Sequence, residues 1–253
     1  RSENLEKAIT CYESALEVLT QSNYAEVWGT TQYNLGIVYS DRLQGERSEN
    51  LEKAITCYES ALEVRTRSAY PYDWAETQNN LGIAYSERLL GKKAENLEKT
   101  IACYEAALEV YTLSDYPEKW AMTQNNLGNA YGERIRGEQA ENLEKAIACH
   151  EAALEIRTRS AYPEYWAMTQ NNLGKAYFGR IRGERAENIE RAISYYEAAL
   201  EVYTPSAHPY EWRTVQNSLN CLVAYRDGWL HKHRHHYLTI SLSLNRLQNL
   251  CML

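Results

Sequence analysis

Several kinds of segment are missing from this chain of 253 residues. No apolar run approaches the roughly 20 residues that a helix needs to span a bilayer. The net charge of -7 at pH 7 lacks the basic excess that nucleic acids and anionic membranes attract. No Pro-, Gly- or Ser-rich linker divides the regular part of the sequence, and nothing in that part reads as a strand. We therefore expect a soluble helical protein whose main partner is neither nucleic acid nor a membrane.

Groupings typical of an active site are absent as well. The sequence has no Gly-rich phosphate-binding loop, no nucleophile with a base and an orienting partner, and no regular spacing of metal ligands. Its Asp and Glu residues are spread along helix surfaces. We therefore expect a protein that is not an enzyme and that has no catalytic residues, no cofactor and no metal ion.

The chain does contain one pattern that returns every 46 residues. The tryptophans with this spacing are Trp28, Trp74, Trp120, Trp166 and Trp212. A fixed period between about 20 and 50 residues is typical of a solenoid, in which each unit buries its apolar face against its neighbours. We expect one array over residues 1–226, beginning with the second helix of a repeat, and a long binding surface rather than a catalytic pocket. Because Arg1 falls inside a repeat, we expect the sequence to be a fragment of a longer chain.

Each repeat reads as two helices joined by a short turn. In residues 120–136, Trp120, Leu127 and Tyr131 fall on one helical stripe, and Gly137 follows, where a left-handed C-terminal cap is favoured. A glycine inside the first helix returns as Gly36, Gly82, Gly128 and Gly174. Such a glycine costs about 1 kcal/mol of helix propensity relative to Ala. Its recurrence therefore indicates that two helices pack closely there.

The second helix is expected to begin after Asn142, an N-cap residue by type. Leu143, Ala146 and Ile147 then start its apolar stripe. Pro163 is expected to restrict the loop that leads into the next repeat.

One cysteine per repeat occupies an equivalent position in the second helix. These residues are Cys11, Cys57, Cys103 and Cys149. Stacked helix pairs should hold them about 10 Å apart, beyond the roughly 7 Å limit for a disulfide. We expect reduced, buried packing residues, which suits a cytoplasmic location.

The repeats resemble the tetratricopeptide repeat family over roughly residues 1–226. The residues that carry the resemblance are Leu127-Gly128, Tyr131, Ala146, His150 (Tyr in the other repeats) and Ala153-Leu154. The resemblance implies an all-α, right-handed superhelical solenoid of antiparallel helix pairs, with the first helices lining a concave groove. The family's usual period is about 34 residues, so each repeat here is longer. The Trp-x-x-Thr-Gln-Asn-Asn-Leu-Gly sequence resembles long cyanobacterial arrays that accompany caspase-like (CHAT) peptidase or signalling NTPase domains.

The first helices vary on one face only. Residues 120–136 and 166–182 differ at Asn129/Lys175, Gly132/Phe178 and Glu133/Gly179. These positions are three and four residues apart and so share a helical face. This face either recognises ligands or is solvated and free to drift. Met122, Met168 and Phe178 favour recognition, because large apolar side chains are costly on a purely solvated face.

The variable face and the resemblance together predict a peptide-binding groove. Its candidate residues are Glu76, Asn79, Glu87, Met122, Asn125, Asn129, Glu133, Met168, Asn171, Lys175 and Phe178. The early repeats are acidic, with Asp41 joining the glutamates, whereas Met168, Lys175 and Phe178 make a later part apolar to basic. The asparagines either bond a peptide backbone, which needs a donor and an acceptor, or bond a neighbouring helix.

Two further sets of residues have structural explanations. Arg42, Arg88, Arg134, Arg180 and Arg226 follow the end of the first helix, where cations suit the helix dipole; anion binding is the alternative. After Arg226 the pattern stops, and residues 227–253 form a divergent tail. Its HKHRHH run at 231–236 is either solvated or a metal ligand set. From Tyr237 the apolar residues are spaced as in a capping helix, which we expect, or as in an alternating strand; a poorly ordered or non-native terminus is the competing expectation.

Two functions follow from these observations. The first is a protein–protein interaction scaffold that holds a peptide or protein segment in the groove. The second is a regulatory or self-assembling region of a larger caspase-like peptidase or NTPase signalling protein. The expected partner is a protein or peptide, with self-association as a further expectation.

Overall fold

The computed structural model describes residues 1–232, with side chains up to Gly228. These residues form ten helices and no strand. The helices are α1 (Ser2–Val18), α2 (Gln21–Asp41), α3 (Arg47–Leu62), α4 (Pro71–Glu87), α5 (Lys93–Leu108), α6 (Pro117–Glu133), α7 (Gln139–Leu154), α8 (Pro163–Gly179), α9 (Arg185–Leu200) and α10 (Pro209–Lys232). The expectation of an all-α fold built from helix pairs is confirmed.

The described residues divide into two compact units, residues 1–158 and residues 159–232, called unit 1 and unit 2 below. In unit 1 the pairs α2/α3, α4/α5 and α6/α7 follow one another, and α1, α3 and α5 also pack on α2, α4 and α6. In unit 2, α8 pairs with α9, and α9 packs on α10. The division into an array over 1–226 and a tail over 227–253 stays a prediction, as does the superhelical hand.

The core is built from the apolar stripes that the repeat predicts. In the second repeat, Leu51, Ala54 and Tyr58 of α3 are buried, and so are Leu35 and Tyr39 of α2. The same positions are buried in α4 to α7 and in α8 and α9. Each pair buries its apolar face against neighbouring helices, so the repeats depend on one another for stability.

Aromatic rings of the second helix lie against the glycines inside the first helix. A Cβ atom added to Gly82 would lie 2.8 Å from the Tyr104 ring, and one added to Gly128 would lie 2.7 Å from the His150 ring. Gly36 and Gly174 meet Tyr58 and Tyr196 in the same way. Real Cβ contacts are not this short, so the recurring glycine is explained by close helix packing.

Two expected helix boundaries were wrong. Pro163 is the first residue of α8 rather than part of a loop, a position that suits proline because its missing N–H would have no partner there. Asn142 lies inside α7, three residues after the helix begins at Gln139. Its side chain instead donates a hydrogen bond of 2.9 Å to the carbonyl of Arg136 in the preceding turn. The asparagine side chain can hydrogen-bond nearby backbone groups both at a helix N-cap and in a turn, so the residue type alone does not distinguish the two positions.

The turn between paired helices contains a glycine with positive φ. These are Gly45, Gly91, Gly137 and Gly183, with φ between 75° and 80°. The equivalent position after α10 holds Trp229, for which a left-handed backbone is unfavourable. In α2, α4, α6 and α8 the helix ends at an arginine C-cap three residues before this glycine, so the glycine shapes the turn and is not the C-cap that the sequence predicts. The helix α10 instead continues past Arg226 to Lys232. Residues 233–253 lie outside the described residues, and with them most of the histidine run and the alternatives for the tail.

Candidate interaction surface

The candidate residues lie on α4, α6 and α8 and differ in exposure. Glu87, Asn129, Glu133, Lys175 and Phe178 are exposed. Glu76, Met122, Met168 and Asn171 are half-buried. Asn79 and Asn125 are buried. The candidates therefore do not form one uniform accessible face.

Asn79 and Asn125 lie in the packed interior of unit 1, with 3% and 1% of their surface exposed. Asn79 Oδ1 is 3.2 Å from the hydroxyl of Thr123 on α6, so the side chain joins two consecutive first helices. That hydroxyl also donates to the Lys119 carbonyl at 2.8 Å. This placement corrects the expectation that the two asparagines face an open groove, because a peptide backbone cannot reach them in this structure.

Asn171 in unit 2 occupies the same place in its repeat, but its surroundings differ. The partner of Asn79 is Thr123, 44 residues further along the chain. The residue at that distance from Asn171 is Val215, which is 1% exposed and has no hydroxyl. Asn171 Oδ1 is buried and accepts no hydrogen bond among the described residues. The valine therefore explains the unsatisfied amide.

Glu76 takes part in a polar cluster inside unit 1. Its carboxylate lies 3.2 Å from the Nζ atom of Lys119 on α6. Burial, and then the charge of Glu76, raises the pKa of Tyr33 on α2 above its ordinary value. Asn80 donates a hydrogen bond of 2.9 Å to the Tyr33 hydroxyl. Glu76 thus bridges neighbouring first helices, and its charge is already engaged.

The arginines that follow the first helices of unit 1 form ion pairs. Arg88 is the C-cap residue of α4 and has an extended backbone. Its Nε and NH2 atoms each donate to the Glu52 carboxylate at 2.6 Å, and its NH1 atom lies 3.5 Å from Asn96 Oδ1. Arg42 and Arg134 pair with Glu6 and Glu98 in the same manner. Within unit 1 these arginines join three consecutive helices, which supports a structural role.

These pairs change the titration of the glutamates. The hydrogen bonds from the arginines, offset by burial, lower the pKa of Glu6, Glu52 and Glu98. A carboxyl with a lowered native pKa stabilises the fold fully above its unfolded pKa, about 4.3 for Glu. That contribution is lost as the pH falls through the lowered native pKa.

The exposed acidic candidates belong to a second set of ion pairs, which we call the acidic ladder. Asp41 lies 2.7 Å from Arg1, Glu133 lies 3.0 Å from Lys93, and Glu87 pairs with Arg47. In each pair the cation stands 40 residues before the carboxylate; Arg47 and Lys93 begin a second helix, and Arg1 is the N-cap of one. These carboxylates are half-exposed, so each pair contributes about 0–1 kcal/mol.

The acidic ladder does not continue in unit 2. Arg185 holds the position of Arg47 and Lys93, but Tyr225 replaces the carboxylate. The Arg185 guanidinium lies 4.9 Å from the centre of the Phe178 ring and 5.4 Å from that of Tyr225. The two rings meet edge to face, with centroids 6.0 Å apart. A cation between aromatic rings therefore replaces an ion pair.

A pocket of about 450 Å³ opens beside these rings in unit 2. It is lined by Phe178 of α8, Tyr196 of α9, and Asn217, Ser218, Cys221, Leu222 and Tyr225 of α10. Phe178 and Tyr225 are 40% and 45% exposed. We call this pocket together with Arg185 the aromatic surface. Its volume lies within the range of about 300–1,000 Å³ typical of ligand pockets.

The cysteines of the described residues are free thiols. Burial raises the pKa of Cys57, Cys103 and Cys149 to about 12, which makes these thiols unreactive at neutral pH. Cys57 and Cys103 are buried as expected, whereas Cys11 is exposed. Within residues 1–232 no group of His, Cys, Asp and Glu is placed to hold a metal ion. No helix among them is long and apolar enough to cross a membrane.

Sequence reasoning found Phe178 but missed Arg185. The signal was present in the repeat register, because three cations at the start of second helices, Arg1, Arg47 and Lys93, each have an acid 40 residues later. A comparison of Arg185 with the residue 40 positions later would have shown a tyrosine there instead of an acid.

Two family models match parts of the chain. The tetratricopeptide repeat matches residues 120–158 and 166–210, and the Sel1 repeat matches residues 30–63 and 75–109. Each match covers most of one helix pair. A comparison with curated proteins gives no match. These segments are therefore similar to repeats of both kinds, and such repeats generally mediate protein–protein interactions and are typically non-catalytic scaffolds.

Proposed function

We propose that the chain is a protein-interaction module that binds a segment of a partner protein at the aromatic surface of unit 2. The observation that carries the proposal is the exposure of Phe178 and Tyr225 beside a pocket. The equivalent pairs of unit 1, also 47 residues apart, hold a small side chain and an acid, Ser40 with Glu87 and Ser86 with Glu133.

The physical argument concerns where binding energy arises. Aromatic side chains that enter a desolvated contact carry most of the energy of a typical interface, whereas exposed charges mainly tune rate and selectivity. Phe178 and Tyr225 are large and partly held in place by each other and by Arg185. They therefore lose little side-chain freedom when a partner covers them.

The acidic ladder is a weaker candidate surface. Asp41, Glu87 and Glu133 are each engaged by a cation of the chain itself. A basic partner would have to displace these cations, so the net gain would be small. We propose that the ladder mainly joins neighbouring repeats and adds selectivity.

The test uses peptide segments selected on the intact chain. A display library of random segments is enriched on the immobilised protein, and the affinity of an enriched segment is measured by fluorescence anisotropy. Phe178→Ala should weaken binding by about 1–3 kcal/mol, as expected for loss of an aromatic anchor. Circular dichroism and the unfolding midpoint show whether the variant keeps its fold.

Tyr210→Ala is the matched control. Tyr210 is an aromatic residue of unit 2 with 77% exposure, and it does not line the pocket. The control should bind like the parent. If Phe178→Ala and Tyr210→Ala both bind like the parent, the aromatic surface is not the binding site. If no segment is enriched, the proposed function is wrong.

A further inference from the structure

Arg185 is the cation of the acidic ladder whose acid is missing. Arg1, Arg47 and Lys93 each meet a carboxylate 40 residues later, and for Arg185 the residue at that distance is Tyr225. Other basic side chains of unit 2 lie beside carboxylates, among them Arg159, Arg191 and Arg226, and His208 lies beside Glu164. Among the described residues, Arg185 has no carboxylate at ion-pair distance.

The guanidinium of Arg185 is fixed by neutral groups. One of its NH groups donates to the Phe178 carbonyl, and its central carbon lies 4.9 Å and 5.4 Å from the centres of the Phe178 and Tyr225 rings. A guanidinium carries five N–H donors in a rigid fork that matches a carboxylate. Arg185 makes one hydrogen bond among the described residues, and its side chain is half-buried. Other N–H groups of its guanidinium can therefore donate to a ligand.

A second cation adds to the positive potential near the pocket. Lys175 is exposed and stands three residues before Phe178 on α8, which places both on one helix face. In the described part of the chain no carboxylate lies at ion-pair distance from Lys175. Two acids of unit 2, Asp227 and Glu190, lie against Arg226 instead.

The pocket beside Arg185 is apolar along most of its wall. Phe178, Tyr196, Leu222 and Tyr225 supply rings and aliphatic carbon, while Asn217 and Ser218 supply polar groups. A large apolar side chain fits such a lining, and a neighbouring carboxylate would lie next to the guanidinium. The aromatic surface therefore combines an apolar pocket with the positive charge of Arg185.

We propose that the aromatic surface recognises a partner segment in which an acidic residue adjoins a large apolar residue. The acidic side chain takes the place on Arg185 that Glu87 takes on Arg47, and the apolar side chain enters the pocket between Phe178, Leu222 and Tyr225. This inference rests on the proposed function and specifies the chemistry of the segment.

The experiment uses three synthetic peptide series on an array, probed with the intact chain. Each peptide holds one Leu, Phe or Trp followed by Glu in the first series, by Gln in the second and by Lys in the third. The Glu series should bind about tenfold more tightly than the Gln series, because a charge-assisted bidentate contact replaces a neutral one. The Lys series should bind most weakly. The preference should shrink as salt rises.

Tyr225→Glu is the decisive variant, since it restores in unit 2 the pair that Arg47 and Glu87 form in unit 1. An internal carboxylate would then occupy Arg185, and the preference for Glu over Gln should disappear. Tyr225→Gln is the matched control, because it removes the same ring without adding a charge, and it should keep the preference. Urea unfolding should show that both variants are folded.

The outcomes separate the two proposals. If the three series bind equally well, or if Tyr225→Glu keeps the preference of the parent, the inference is wrong while segment binding stands. If the parent retains no peptide of any series, both the inference and the proposed function are contradicted. A Glu preference that Tyr225→Glu removes and Tyr225→Gln keeps would support the assignment.

Discussion

At the scale of single residues, the informative positions are those where one repeat lacks a partner that another repeat has. Thr123 provides the hydroxyl that meets Asn79 in unit 1, and Val215 leaves Asn171 without one in unit 2. A buried polar atom without a hydrogen bond costs about 1–3 kcal/mol. Arg185 and Tyr225 differ from their counterparts in the same way, but at the surface, where the missing partner can come from another molecule.

Val215→Thr is expected to stabilise the protein. Threonine has nearly the shape of valine, and its hydroxyl would meet the Asn171 amide as Thr123 meets that of Asn79. The gain should be about 0.5–1.5 kcal/mol, the net worth of one hydrogen bond. Urea unfolding monitored by circular dichroism measures it.

A double-mutant cycle with Asn171→Ala provides the control for this prediction. Without the amide, Val215→Thr should give no gain, because its hydroxyl loses the partner. A Val215→Thr variant that is less stable than the parent by 1 kcal/mol or more would contradict the assigned pairing, since that is the cost of an unsatisfied buried hydroxyl.

At the scale of helices, the distance between the two helices of a pair depends on small residues of the first helix, which face rings of the second helix. Gly128 and Gly132 stand one turn apart on α6 and allow a direct comparison. A Cβ on Gly128 would lie 2.7 Å from the His150 ring, whereas one on Gly132 would lie 4.0 Å from Ala146 Cβ, an ordinary contact. The two glycines therefore have opposite roles in stability.

Gly128→Ala should destabilise the protein, and Gly132→Ala should stabilise it. Overpacking at position 128 costs about 1–3 kcal/mol, which outweighs the roughly 1 kcal/mol of helix propensity gained. At position 132 only the propensity gain applies, up to about 1 kcal/mol. Unfolding midpoints in urea for both variants provide the measurement. Two equally stabilised variants would show that the ring of His150 yields and that close packing does not explain the recurring glycine.

The helices could be predicted from the sequence because their periodicity is local. The residues at which they begin and end could not be predicted in the same way. The stripe of Trp120, Leu127 and Tyr131 and the glycine after it identified α6 and its turn. Asn142 was read as an N-cap although it bonds the preceding turn, since both uses need the same side-chain chemistry. Similarly, Pro163 fits a loop and a first helical position equally well.

At the scale of the whole molecule, binding residues were harder to identify because packing and recognition use the same residue types. Asn79 looked like a groove residue, yet its bond to Thr123 spans 44 residues and appears only when helices of different repeats meet. Phe178 was identified from the disagreement between two repeats. The role of Arg185 depends on a residue 40 positions away, so the sequence shows it only once the repeat register is known.

Hydrogen–deuterium exchange of the intact chain, with and without an enriched peptide segment, tests the central claim most directly. Binding at the aromatic surface predicts slower exchange in α8 and α10 at residues 175–180 and 217–226, where a covering segment stabilises the helices locally. The equivalent parts of α4, residues 83–88, should exchange at an unchanged rate. Slower exchange confined to unit 1, with none in α8 or α10, would contradict the account.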